Sequence, residues 1–203
     1  MLKKKIVFIF VFLIVIIISG YLLIKKSWKE ISVTEQNFEE KGEYEKYLIE
    51  GLNYRTAGFQ GDVSAFYKAI ESYKKAVEIS EGKAWVPYLN LGNTYRLVKD
   101  FENAEKAYNQ ALEIAPGEWL IYAAKIEMMR FDQEKSNEEI KTLYREALEV
   151  VFENKNLIIS YAAFLRDIKD YLEAKKYYEI LAEKDPDNQL YKNEIKELNE
   201  KIK

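Results

Sequence analysis

The sequence predicts an all-α fold: a solenoid of about four helix pairs closed by a C-terminal capping helix and preceded by one N-terminal transmembrane helix. Three observations predict it. Beyond residue 43, apolar residues recur at three- and four-residue steps, the spacing of one helix face. A motif also returns at a fixed offset. Lys99-Asp100-Phe101 with Ala104, Tyr108 and Pro116 reappears 70 residues later as Lys169-Asp170-Tyr171 with Ala174, Tyr178 and Pro186. Finally, the stretch 6–24 carries no charge and is apolar apart from Ser19 and Gly20.

The apolar stretch comes first in the chain. Lys3, Lys4 and Lys5 precede it, and Lys25, Lys26, Trp28 and Lys29 follow it as interface anchors. Its 19 residues rise roughly 28 Å as a helix, close to the ~30 Å hydrocarbon core of a bilayer. A cleaved signal peptide would have a shorter apolar region ending at small residues. Here Ile18 occupies one of the two small-residue sites before a cut at Gly20, and apolar residues resume through Ile24. Residues 1–29 therefore read as a retained membrane anchor. The very short N-terminal tail favours a cytoplasmic N-terminus and an extracytoplasmic soluble part.

Composition narrows the chemistry. The chain has no Cys and no His, which removes disulfides, thiol nucleophiles, imidazole bases and Cys/His metal sites. No cofactor is implied. Six of the 31 basic residues lie in 1–29, leaving 25 against 34 acidic groups in 30–203, a net charge of −9. Nucleic-acid binding rests on neutralising phosphates with a basic surface, so this balance argues against it. Ser72-x-x-Lys75 and Ser80-x-x-Lys83 have the spacing of a Ser/Lys nucleophile pair but lack the further motifs that such chemistry needs. With no phosphate-binding Gly-rich loop either, the chain does not read as an enzyme.

The remaining elements follow in order. Residues 30–43 form a linker or lead-in helix, with Ser32-x-x-Glu35 as a capping box and Gly42 as a breaker. The unit 85–118 carries Tyr88, Leu91-Gly92, Tyr95, Ala104, Tyr108, Ala111 and Pro116. In 44–84, Phe66, Ala69, Tyr73 and Ala76 stand 35 residues before Phe101, Ala104, Tyr108 and Ala111. Its first helix aligns through Tyr47, Gly51 and Tyr54 if six extra residues sit in a long turn from Gly58 to Ala65. In 119–154, Tyr144, Ala147 and Leu148 mark the second helix, begun by the capping box Ser136-x-x-Glu139, while Lys125-Ile126 replace the Leu-Gly pair. In 155–187 Tyr161-Ala162 stand there. Residues 188–203 place Tyr191, Ile195, Leu198 and Ile202 on one stripe, as a cap requires. Gly92 and the alanines let helices approach closely, and the tyrosines fill the space between the two helices of a unit. Asp100 and Asp170 cap second helices, and Pro116 and Pro186 end units.

In type and spacing, the unit 85–118 resembles the tetratricopeptide repeat (TPR) family, with Tyr at the first and sixth signature positions. The resemblance implies a right-handed α-solenoid whose first helices line a concave groove, and a protein or peptide partner held there. Groove positions would include Leu89, Asn90, Asn93 and Arg96, then Ala123, Ala124, Glu127 and Arg130, then Ile159, Ser160, Ala163 and Arg166. Arg55, Arg96, Arg130 and Arg166 all fall at position 12 of their units, and they are four of the five arginines in a lysine-rich chain. Arg holds carboxylates through a planar fork that Lys lacks. One reading is thus an acidic segment bound by the arginines, with Asn90 and Asn93 holding its backbone. The other is that each arginine pairs with a carboxylate of a neighbouring helix, Glu127 and Asp167 among them, in a subunit that packs through its convex face. The chaperone-tail clamp known in this family is not matched: Asn93 fits, but Leu89, Ala124, Asn156 and Ser160 do not.

Overall fold

The computed structural model describes residues 41–203. The expected membrane segment and the linker up to residue 40 lie outside the described residues. No described helix is long and apolar enough to cross a membrane. The elements of the described residues are all helices, with α1 over 41–59, α2 Ser64–Ile79, α3 Trp85–Leu97 and α4 Phe101–Ile114. Then follow α5 Trp119–Glu127, a π-helical turn Met128–Asp132, α6 Asn137–Val150, α7 Lys155–Asp167, α8 Tyr171–Lys184 and α9 Gln189–Ile202. Gly42, expected as a breaker, stands inside α1, where an exposed glycine only weakens a helix by about 1 kcal/mol.

Each helix packs on the next. Within the second pair, Tyr108 of α4 is fully buried and its ring lies flat on Gly92 of α3. A Cβ at Gly92 would stand 2.4 Å from that ring, so only glycine admits the contact. Tyr73 of α2 lies on Gly51 of α1 in the same way. Gly51 and Tyr73 are 22 residues apart, against 16 for Gly92 and Tyr108, so the six extra residues are real. They do not form a long turn. α1 runs on through Gly58 to residue 59, the turn is 60–63, and α2 starts at Ser64. The insertion is mostly absorbed as extra helix because Phe59 packs edge-on against Phe66, ring centroids 5.4 Å apart.

Helix ends follow local chemistry. Asp100 and Asp170 accept from the backbone N–H groups of Asn103 and Glu173. Ser136 and Glu139 form the reciprocal capping box at the start of α6. Asn154 and Asn188 cap α7 and α9. Lys99 and Lys169, both at positive φ, close α3 and α7. The N–H groups of the following aspartates donate back to the carbonyls of Tyr95 and Leu165, the 6→1 bond of a Schellman end. α5 ends differently. The offset between corresponding residues grows from 34 at Arg96/Arg130 to 36 at Tyr108/Tyr144, and the π-helical turn takes up part of the excess.

The core runs along the stack rather than at one centre. Ala69, Ile70, Tyr73 and Leu91 fill it between the first and second pairs. Tyr108, Ala111, Ile121 and Met128 fill it between the second and third. A larger cluster from Tyr122 to Leu198 joins the third and fourth pairs to α9. In that cluster Tyr144 stacks on Tyr161 and Phe164, with centroids 4.7 and 5.5 Å apart. Leu198 and Tyr191 of α9 are buried against α8, which covers the apolar end of the stack.

Candidate functional site

Arg96 and Arg166 stand in the last turns of α3 and α7, where a cation meets the partial negative charge of the helix end. Arg55 lies one turn before the end of α1, and Arg130 in the π-helical turn after α5. Each of the four reaches one pair further along the stack. Arg55 Nη1 donates to Asn90 Oδ1 at 3.1 Å. Arg96 donates from Nη1 to Glu127 Oε2 at 3.0 Å and from Nε to Asp132. Arg130 Nη2 reaches Asp167 Oδ2 at 3.3 Å, and its guanidinium lies 4.9 and 4.8 Å from the ring centroids of Phe131 and Phe164. Arg166 Nη1 donates to Glu194 Oε1 of the capping helix at 2.6 Å. Three of the four thus join a carboxylate of the next unit, and together these three form a chain of clips from α3 to α9.

Electrostatics agree with this pairing. The Arg166 guanidinium is pushed above its ordinary value, first by the hydrogen bond with Glu194. For Arg96, burial works against the charge, and the bonds to Glu127 and Asp132 more than offset it. Burial raises the Tyr108 hydroxyl well above its usual range, although Arg96 nearby opposes the shift.

The asparagines are also engaged. Asn90 accepts from Arg55 and donates Nδ2–H to the Val86 carbonyl at 3.1 Å. Asn93 Oδ1 accepts from the Tyr108 hydroxyl at 2.9 Å. The Tyr73 hydroxyl, buried in the first pair, has no partner among the described residues, because Leu52 occupies the place that Asn93 holds in the second.

Three of the six residues singled out from sequence share one cavity. Arg55, Asn93 and Arg96 line an open space of about 490 Å³ together with Phe59, Leu97, Lys99 and Asp132. It lies where the C-terminal ends of α1 and α3 and the π-helical turn come together. Arg130 and Arg166 line no part of it; they stand further along the row. Phe59, Leu97, Lys99 and Asp132 were not expected there. They sit at helix ends whose meeting depends on stacking, and the nearest sequence signal is that Lys99 and Asp132 each stand within three residues of a ladder arginine. The acids Glu127 and Asp167 were visible as partners; Asp132 and Glu194 were not.

Stacked antiparallel helix pairs closed by a capping helix define a helical-repeat solenoid. Within it, residues 86–118 match the model of the tetratricopeptide repeat family. No curated protein matches the sequence. Among solved structures, the MamA protein shares the fold with a TM-score of 0.57 at 16% identity, covering 79% of this chain and 82% of MamA. PilF of Pseudomonas aeruginosa has a TM-score of 0.58 at 17% identity over 81% of this chain and 71% of its own. A tetratricopeptide repeat protein of Parabacteroides merdae has 0.54 at 17%, over 78% and 59%. At these identities the likeness is one of fold.

Proposed function

We propose that this protein is a non-enzymatic, membrane-tethered interaction module that binds a protein segment along the row of its first helices. Tetratricopeptide repeats generally mediate protein–protein interaction, and the repeat at 86–118 carries that expectation to this chain. The tether rests on the Lys-flanked apolar stretch 6–24, with the soluble part extracytoplasmic. One observation carries the binding reading: the open cavity at α1, α3 and the π-helical turn, which holds Arg55, Asn93 and Arg96. The ladder divides in this reading. Arg96, Arg130 and Arg166 hold the units in register, and Arg55 faces the partner.

A second reading is supported by the same ion pairs: a structural subunit that packs through its second helices, with the arginines serving the fold alone. A photo-crosslinking residue separates the two. Placed at Leu97 in the cavity wall or at Leu172, which is 71% exposed on α8, it reports what each face touches in cells. Adducts from Leu97 alone are expected; adducts from Leu172 alone would overturn the groove reading. Sidedness has its own test. A cysteine added after Lys203 is the chain's only thiol, and its labelling in intact cells by an impermeant reagent is the expected result.

A further inference from the structure

The cavity differs in charge from the rest of the arginine row. Of the cations around it, Arg96 is met by Asp132 and Glu127. Arg55 is held only by a neutral amide, Asn90, itself fixed by the Val86 carbonyl. Among the described residues no carboxylate lies within ion-pair distance of Arg55 or Lys99. Two cations in one cavity therefore remain uncompensated among the described residues, in a chain whose residues 30–203 are acidic. An oriented guanidinium needs little further ordering to bind, which favours a carboxylate there.

The other walls say what should accompany that carboxylate. Phe59 is 67% exposed and Leu97 38%, so apolar surface lies beside the two cations. An inorganic anion would leave that surface wet. The Asn93 oxygen is taken by the Tyr108 hydroxyl, which leaves its NH2 group to donate outward. A donor, two cations and two apolar side chains within about 490 Å³ suit two adjacent side chains and the peptide bond between them.

We infer that this cavity receives an Asp or Glu side chain next to a bulky apolar residue in an extended protein segment. Arg55 and Lys99 take the carboxylate, Phe59 and Leu97 cover the apolar neighbour, and the Asn93 amide donates to the backbone carbonyl between them. The inference rests on the groove reading and names its ligand. Lys169 has the same left-handed backbone and the same place in the fourth unit, but does not line this cavity, so it serves as the internal control.

The test is selection of random twelve-residue peptides, displayed with both ends blocked by fusion, on the full-length protein in nanodiscs. Wild-type protein should enrich segments with an acid beside Phe, Leu, Ile or Tyr. Arg55→Gln with Lys99→Asn should weaken binding of the enriched peptides about tenfold, the worth of one or two charge-assisted hydrogen bonds. Asn tolerates the left-handed backbone at 99, and unchanged thermal unfolding confirms the fold. Lys169→Asn should leave binding unchanged, and Phe59→Ser should relax only the apolar preference. Enrichment without an acidic preference, or an acidic preference that survives the double variant, overturns the inference and leaves the groove reading standing. No enrichment at all overturns both.

Discussion

The second and third helix pairs correspond in architecture but direct their filling tyrosines differently. In the second, Gly92 lets α3 and α4 close on each other, and Tyr108 fills the space with its hydroxyl on Asn93. In the third, Ile126 stands at the glycine position, and the counterpart Tyr144 is packed in one cluster with Ile126 and Tyr122 of α5 and with residues of the next pair. It stacks on Tyr161 and Phe164 of that pair, with its hydroxyl 2.7 Å from Ser160 Oγ. α3 ends in a tight Schellman turn, α5 in a wide π-helical one. The filling tyrosine of the second pair bonds within its own pair, whereas that of the third bonds to the fourth. In a stack whose stability is a sum of unit and interface terms, a pair with weak internal packing survives if its interface is strong.

Exchanging the two residues breaks the comparison most sharply. Gly92→Ile drives a branched side chain into the ring of Tyr108 and should cost about 3 kcal/mol. The reverse change, Ile126→Gly, removes a side chain that is only 2% exposed and puts glycine mid-helix, a loss of about 4 kcal/mol. At roughly 2–4 °C per kcal/mol for a chain of this size, either should lower the melting temperature by about 10 °C. Hydrogen exchange read helix by helix then sharpens the result. Gly92→Ile should loosen α3 and α4 first, whereas Ile126→Gly should expose amides from α5 through α8. Equal loosening in both variants would mean the pairs are not closed differently.

The clips between units come next in size. Arg166→Gln strands Glu194, whose second carboxylate oxygen is already buried without a partner, and should cost about 1–2 kcal/mol. Arg130→Gln loses its Asp167 pair and both ring contacts, with a similar cost. Arg55→Gln gives up one bond to a neutral amide and should stay within about 0.5 kcal/mol. Chemical denaturation of the three variants checks the order. If Arg55→Gln destabilises as much as Arg166→Gln, Arg55 is another structural clip and the cavity loses its free cation.

Much of this was legible in the sequence, and the limits have physical reasons. The caps at Asp100, Asp170 and Ser136 were readable because capping is settled within four residues. The Gly92–Tyr108 contact was readable because the spacing within one helix pair is fixed by its turn. The turn between α1 and α2 was misread because Gly58 and Gly61-Asp62 look alike as breakers. Only Gly61 takes a positive φ, 114°, while Gly58 is kept helical with Phe66 against it. Asp132 and Glu194 were out of reach because their partners lie 36 and 28 residues away across a unit boundary. The cavity was illegible for the same reason.

Acid and base sharpen the same contrast at the third pair's outer interface. Lys141 of α6 reaches Asp170 and Glu173 at 2.7 and 2.9 Å, with only 10% of its side chain exposed. The bond from Lys141 holds the Asp170 carboxyl below its ordinary 3.8, and the bond to Asp170 lifts the Lys141 ammonium above its ordinary 10.5. A depressed carboxyl stabilises the fold above its unfolded value and loses that contribution as pH falls through the lower folded one. A raised ammonium does the reverse at the alkaline end. The melting-temperature gap between wild type and Lys141→Met should be level from about pH 5 to pH 9 and narrow outside it. A gap that stays level down to pH 2.5 would show that the pair does not tie the third unit to the fourth.

The smallest effect concerns the two lysines that close α3 and α7. At φ 61° and 67°, each holds a backbone shape that costs a side-chain-bearing residue about 1 kcal/mol and glycine nothing. Glycine also loses more freedom on folding, so the net gain from Lys→Gly at such a site falls to about 0.5 kcal/mol. Lys169→Gly should therefore raise the melting temperature by one or two degrees, and Lys99→Gly should do the same. Stability alone gives no reason for lysine at either position. What separates them is surroundings: Lys99 lines the cavity with Arg55, Phe59 and Leu97, and Lys169 does not. If both glycine variants are more stable and only Lys99→Gly loses the acidic-peptide preference, the strain at 99 is retained for binding. If Lys99→Gly binds as wild type does, that lysine is a tolerated turn residue like its counterpart, and Arg55 alone would have to carry the charge.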